Sequence, residues 1–110
     1  MVDIKHVTPD FAVAGQIAPA DISSLAAMGF KSIICNRPDR EQWGQPEFQS
    51  VAEAARAAGM QTESIPFSPG AMSATDVEAF RAALARLPAP VLAYCRSGAR
   101  SLNIYTVAVG

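Results

Sequence analysis

The chain has 110 residues, of which half are hydrophobic and 17% are charged, and its formal net charge at pH 7 is −1. This length suits one domain with its own core, which we expect to span residues 1–110. The weakly acidic balance and scattered basic residues exclude a broad basic surface for nucleic acid or an anionic membrane.

Two features that the sequence lacks bear on the cellular compartment and on metal binding. No apolar run approaches the roughly 18 residues that cross a bilayer, and residues 1–6 lack the order of a secretory signal. Cys35 and Cys95 are the only cysteines, which is neither a disulfide framework nor a zinc pattern. We therefore expect a cytoplasmic domain with no membrane partner, no metal and no cofactor.

Strand-like and helix-like patterns alternate along the chain. Phe11 to Ala14 predicts a first strand, and a helix then opens near Asp21 and ends before Gly29. The other predicted elements are a strand at 33–35, a helix at 47–58, a strand at 62–66, a helix opened by the capping box of Thr75 and Glu78, a strand at 91–94 and a helix from Ser101.

This alternation predicts an α/β fold: a single domain with a mainly parallel four- to five-stranded sheet flanked by helices. In such sheets ligands bind beyond the carboxyl ends of the strands. Three polar segments follow strands at that edge, so we expect residues 36–41, 67–71 and 95–101 to surround one crevice.

The segment after the last strand carries the candidate chemistry. Cys95 and Arg100 are separated by four residues, Cys-x4-Arg. A helix N-terminus and a tight loop present backbone N–H groups that favour a thiolate and bind an anion. We predict Cys95 as the nucleophile and Arg100 as the oxyanion-binding residue. The predicted anion-binding residues beside them are Arg96, Ser97, Gly98, Ala99 and Ser101, the last of which either caps the helix or donates to the thiolate.

Each of these assignments has a plainer interpretation. A lone cysteine at a strand end is often only part of the core, and Arg96 could be a solvated surface residue. Asp39 is the one residue nominated as a general acid, because Ser68-Pro69-Gly70 carries no carboxylate. Asp39 could equally form a turn beside Pro38 and pair with a neighbouring arginine.

Two resemblances bear on the chemistry. The run Tyr-Cys-Arg-Ser-Gly-x-Arg-Ser at 94–101 resembles the loop of rhodanese-type sulfurtransferases, whereas phosphatases use Cys-x5-Arg and usually have histidine before the cysteine. The rest of the chain does not resemble a rhodanese. Together with Ile-Ile-Cys-Asn-Arg-Pro-Asp at 33–39 and Ile-Pro-Phe at 65–67, the loop resembles the phosphatase-like domain family of beta-lactamase hydrolase-like proteins. That resemblance implies a dual-specificity-phosphatase-like fold. It also implies sulfurtransferase activity, alone or fused to a persulfide dioxygenase.

The leading hypothesis is therefore a sulfurtransferase that forms a Cys95 persulfide from a small anionic sulfane-sulfur donor and passes the sulfur to a thiol acceptor. A cysteine phosphatase with Asp39 as acid and a non-catalytic anion-binding domain of a larger protein are the alternatives. Cys35 could resolve an oxidised Cys95 or simply fill a buried strand. The chain ends about ten residues after Arg100, so it is either a minimal domain or a fragment.

Overall fold

The computed structural model describes residues 2–110 and contains a five-stranded sheet with helices on both faces. Its elements in chain order are β1 (Ile4–Thr8), β2 (Phe11–Ala14), a 3-10 turn (Pro19–Asp21), α1 (Ile22–Ala27), β3 (Ser32–Cys35), α2 (Phe48–Ala57), β4 (Gln61–Ser64), α3 (Ala74–Arg86), β5 (Val91–Tyr94) and α4 (Ala99–Val109). The sheet order is β1-β2-β5-β3-β4, and only the β1–β2 pair is antiparallel. The predicted mainly parallel α/β fold is confirmed.

The three central strands are buried along their whole length. Every residue of β2, β3 and β5 is buried, as expected for parallel strands covered on both faces. Leu25 of α1 and Val51 of α2 belong to the core cluster on one face, and Phe80 of α3 and Ile104 of α4 to the cluster on the other. The loops that carry the candidate site residues therefore follow strands that are packed on both faces.

One strand was not predicted, and one helix cap was predicted at the wrong residues. The unpredicted strand is β1, an edge strand that pairs only with β2 and has exposed side chains at Lys5 and His6. The α3 capping box is formed by Ser73 and Asp76, two residues before the predicted pair. The Ser73 hydroxyl accepts the Asp76 N–H at 3.1 Å, and the Asp76 carboxylate accepts the Ser73 N–H at 3.0 Å.

The predicted crevice edge is held together by backbone hydrogen bonds that continue beyond the strands. The Asn36 N–H donates to Tyr94 O at 2.8 Å, and the Phe67 N–H donates to Asn36 O at 3.3 Å. The segments after β3, β4 and β5 are therefore neighbours at the carboxyl edge, as the topology requires. None of the helices described within residues 2–110 has the length and apolar character needed to span a bilayer.

Candidate functional site

The Cys95 loop, residues 95–100, connects β5 to α4 and approaches the segment after β2 closely. The Cys95 N–H donates to Ala14 O at 3.3 Å, and the Gln16 N–H donates to Arg96 O at 3.2 Å. A Cβ added at Gly15 would lie 3.0 Å from Arg96 O, which is tighter than normal side-chain contacts. Gly15 therefore allows the loop to pack directly against the end of β2.

Gly98 turns the loop back into the helix. It is the N-cap of α4 and adopts the left-handed conformation, with φ of 96°, which L side chains resist. Its N–H donates to the Cys95 Sγ at 3.0 Å. The turn thus points a backbone donor at the sulfur while the first turn of α4 lies directly behind it.

The Cys95 thiol is 1% exposed, and its surroundings favour the thiolate. Burial raises the pKa of Cys95, but the backbone N–H groups of Ser101, Ser97, Gly98 and Arg100 outweigh it, so the net shift is downward. Hydrogen bonds to the charged form stabilise that form. The structure places the predicted nucleophile where an anionic sulfur is stabilised by main-chain donors.

Arg100 is held in a two-pronged contact with Glu41. The Arg100 NH1 and NH2 groups donate to the two Glu41 carboxylate oxygens at 2.7 and 2.8 Å, and NH1 also donates to Phe67 O at 3.1 Å. Three of the five guanidinium N–H groups are therefore used. Among residues 2–110, the Nε–H and the second NH2 proton have no acceptor, and both lie on the same edge of the guanidinium. That edge therefore has two N–H donors that could bind an anion.

Glu41 also contacts a second arginine. Arg37 is 4% exposed, and its Nε–H donates to Glu41 Oε1 at 2.8 Å. The hydrogen bond from Arg100 is the main cause that lowers the pKa of Glu41 to about 2; Arg37 adds to this effect, and burial opposes it. Glu41 is therefore ionised at neutral pH. In turn, the Glu41 carboxylate raises the pKa of Arg100.

Ser101 has a different role from the predicted ones. It lies inside α4 and does not cap it, and its hydroxyl donates to Asn36 Oδ1 at 2.8 Å rather than to the sulfur. The Asn36 side chain in turn donates to Ile65 O at 3.0 Å, and both side chains are fully buried. The pair ties the first turn of α4 to the ends of β3 and β4, leaving only the Ser101 backbone N–H to stabilise Cys95.

Asp39 is used in local structure. Its Oδ1 accepts the Phe48 N–H at 2.9 Å at the start of α2. Among residues 2–110 it forms no ion pair with Arg37 or with Arg40, which lies 4.0 Å from Glu47 instead. The structure does not bring Asp39 into hydrogen-bonding contact with the Cys95 loop.

The remaining predicted residues lie around the loop mouth. Arg96, Ser97 and Ala99 are exposed, and Arg96 lines grooves on both flanks of the loop. Cys35 is buried, donates from Sγ to Arg37 O at 3.2 Å, and has a pKa raised by burial. No cluster of three His, Cys, Asp or Glu side chains suited to a metal is present in the described part of the chain, residues 2–110.

Sequence reasoning missed Glu41, Arg37 and Asn36 as parts of the site. All three belong to the polar segment after β3, which the topology already assigned to the crevice. The sequence did contain one signal for them: the segment after β3 carries carboxylates and is expected to lie beside the Cys95 loop, which contains arginines. What the sequence did not show was which of the two carboxylates there, Asp39 or Glu41, reaches Arg100.

Comparisons with known proteins agree with this geometry. A family model described as "Beta-lactamase hydrolase-like protein, phosphatase-like domain" matches residues 3–110. The beta-lactamase hydrolase-like protein of Agrobacterium fabrum is 44% identical over 86% of this chain, which spans only 22% of that relative's length. A Neisseria meningitidis protein provisionally classed as a phosphatase has a TM-score of 0.84 and 35% identity, with 91% of this chain and 71% of that chain covered.

The fold extends to more distant phosphatases. The catalytic core of the PP-IP phosphatase SIW14 from S. cerevisiae superposes with a TM-score of 0.67 at 14% identity, covering 96% of this chain and 72% of that one. At that identity the likeness concerns the fold alone. The architecture is therefore that of cysteine phosphatases.

Proposed function

Because the chain belongs to the phosphatase-like domain family of beta-lactamase hydrolase-like proteins, we propose that it is an enzyme acting through a covalent intermediate at Cys95, and that the intermediate is a persulfide. A buried thiol with a lowered pKa and an arginine with one free edge support a nucleophile next to an anion site. The proposal concerns this segment, which spans about a fifth of the Agrobacterium relative.

The observation that carries sulfur transfer is the state of the carboxyl groups after β3. Cleavage of a phosphate ester needs an acid to protonate the leaving oxygen. Glu41 has a pKa of about 2 and is ionised, while Asp39 accepts the Phe48 N–H at the start of α2. Sulfur transfer needs no such proton, because its leaving groups are stable anions.

The proposed reaction has two steps. The Cys95 thiolate attacks the outer sulfur of a sulfane donor such as thiosulfate; the donor S–S bond breaks and sulfite leaves with its electron pair. The resulting Cys95 persulfide anion accepts hydrogen bonds from the loop N–H groups and from the free edge of Arg100. An acceptor thiolate then attacks the outer sulfur, takes it as its own persulfide and releases the Cys95 thiolate.

Intact mass measurement tests this chemistry. Incubation with thiosulfate or glutathione persulfide is expected to add the mass of one sulfur atom. The adduct should be lost in Cys95→Ser and kept in Cys35→Ser, which is the matched control. A wild-type protein that gains no sulfur from either donor would contradict the proposal.

The second candidate is phosphate-ester hydrolysis, favoured by the class of the Neisseria structural relative and by the phosphatase-like fold. In that case the acid would be Asp39, released from Phe48, or Asp3, which lines the groove beside Arg96 and Ser97. The test is hydrolysis of an aryl phosphate. Support for this candidate would be a rate that is abolished in Cys95→Ser and falls at least tenfold in one of the two Asp→Asn variants, which corresponds to a barrier higher by about 1.4 kcal/mol. Tight sulfate binding with neither reaction would instead indicate a non-catalytic anion-binding domain.

A further inference from the structure

A groove of about 370 Å³ flanks the Cys95 loop on the side of the segment after β3. We name it the Trp43 groove. Its lining consists of residues 42–46 together with Gln16, Arg37 and Arg96. None of these side chains carries a carboxylate, so the groove combines amide groups, two guanidinium groups and one aromatic ring.

The floor of the groove is already built without a ligand. Arg37 is buried, and all its nitrogens are engaged: Nε with Glu41 at 2.8 Å, NH1 with Gln16 at 3.0 Å and NH2 with Gln42 at 3.3 Å. The same Glu41 holds Arg100. The floor of the groove and the anion-binding arginine therefore share one carboxylate, which fixes their relative position.

Hydrogen bonds also hold the wall of the groove in place. The Gln45 side chain donates to Pro38 O at 2.9 Å and accepts the Glu41 N–H at 3.1 Å. Despite these constraints the ring of Trp43 is 99% exposed. A tryptophan can bury roughly 150–250 Å² of mainly apolar surface, so a fixed loop that leaves it entirely in water presents a ready stacking surface.

Arg96 lies at the opposite rim of the Trp43 groove. It is exposed and forms no ion pair with any of residues 2–110. It directly follows Cys95, and its carbonyl is fixed by the Gln16 N–H at 3.2 Å. A ligand whose sulfur reaches Cys95 therefore has a cation and an aromatic surface beside the rest of its body.

We propose that the Trp43 groove binds the organic part of the sulfur donor, and that this part is a carboxylate-bearing, amide-containing thiol compound of small-peptide type. Its carboxylate pairs with Arg96, and an amide plane lies against Trp43. The identity of the reacting atom rests on the proposed sulfur transfer at Cys95, whereas the groove itself can be tested by binding alone.

Trp43 is the only tryptophan of the chain, so intrinsic fluorescence reports on this groove. S-methyl glutathione, which has no transferable sulfur, is expected to change the emission in a saturable way. The dissociation constant should rise about tenfold in Arg96→Gln, and also with the diethyl ester of the same compound in the wild type. The control is Arg40→Gln, which should bind as the wild type does, because Arg40 is an exposed arginine of the segment that carries Trp43 but does not line the groove.

Kinetics with two donors then connect the groove to the chemistry. Trp43→Ala and Arg96→Gln are each expected to lower kcat/KM for glutathione persulfide about tenfold. Trp43→Ala should leave the rate with thiosulfate, which has no organic part, within about twofold of the wild type. Trp43→Phe should restore most of the loss.

The outcomes separate the two proposals. In Trp43→Ala, equal losses with both donors, or none with either, would overturn the groove assignment while sulfur transfer at Cys95 stands. If no sulfur is added to Cys95 by either donor, sulfur transfer fails, and the fluorescence titration still decides the groove. A wild-type emission unchanged at millimolar S-methyl glutathione would refute the groove assignment outright.

Discussion

Replacing Glu41 with glutamine tests whether one carboxylate holds both Arg37 and Arg100. Glutamine keeps the shape and one acceptor oxygen but removes the charge. Two arginines with side chains 3% and 10% exposed would then face a neutral amide, which leaves buried positive charge uncompensated. We expect a loss of stability and a slower reaction at Cys95, because the carboxylate that fixes the position of the Arg100 guanidinium is gone.

The size of the effect follows from the pKa of Glu41. The fall from 4.5 to about 2 corresponds to about 3 kcal/mol of favourable interaction with the ionised form. The Glu41 side chain is 21% exposed, so solvent screens part of this interaction. We therefore expect Glu41→Gln to lower the free energy of unfolding by about 2 kcal/mol at pH 7.

The pH dependence has a defined sign. Because folding lowers the pKa of Glu41, its stabilising contribution is complete above the unfolded pKa, near 4.5, and is lost as the pH falls through about 2. The stability difference between wild type and Glu41→Gln should thus be constant from pH 7 to about pH 5 and shrink steadily below that.

Urea unfolding of both proteins at a series of pH values measures this difference. Glu47→Gln is the matched control, since Glu47 is more exposed and lies 4.0 Å from the exposed Arg40. It should change stability by less than about 0.5 kcal/mol. A Glu41→Gln effect as small as the control, or one that does not decrease in acid, would refute the assignment of Glu41 as the shared counter-ion.

Three further predictions concern the loop and its support. The rate of Cys95 alkylation by iodoacetamide should rise with a midpoint below the usual thiol value of about 8.5, since main-chain donors lower its pKa; a midpoint at or above that value would contradict the geometry. Gly98→Ala should cost about 1–2 kcal/mol in thermal unfolding because φ is 96°, and should slow the same alkylation; wild-type stability would mean that the turn is not left-handed. Asn36→Ala should cost about 1–3 kcal/mol, because it strands the buried Ser101 hydroxyl, whereas the double variant with Ser101→Ala should recover part of this loss; additive losses would argue against the pairing.

Much of the fold was visible in the sequence because its signals are local. The runs Phe11 to Ala14, Ile33 to Cys35 and Val91 to Tyr94 are continuous apolar stretches, and each forms a buried central strand. Edge strand β1 escaped prediction because only one neighbour buries it, so its residues carry no such run. The cap of α3 was misplaced because two overlapping patterns satisfy the same rule, and the tertiary path of the loop selects between them.

In the candidate site, too, some features could be predicted from local sequence and others depended on tertiary contacts. The sequence alone determined the Cys-x4-Arg spacing, the glycine that turns the loop and the placement of the loop at the carboxyl edge of a parallel sheet, because these depend on neighbours in the chain. Only the tertiary structure decided that Glu41 rather than Asp39 holds Arg100, across 59 positions, and that Ser101 donates to Asn36, across 65. Crossover connections bring such segments together, and the choice between two nearby carboxylates depends on side-chain directions that no linear pattern encodes.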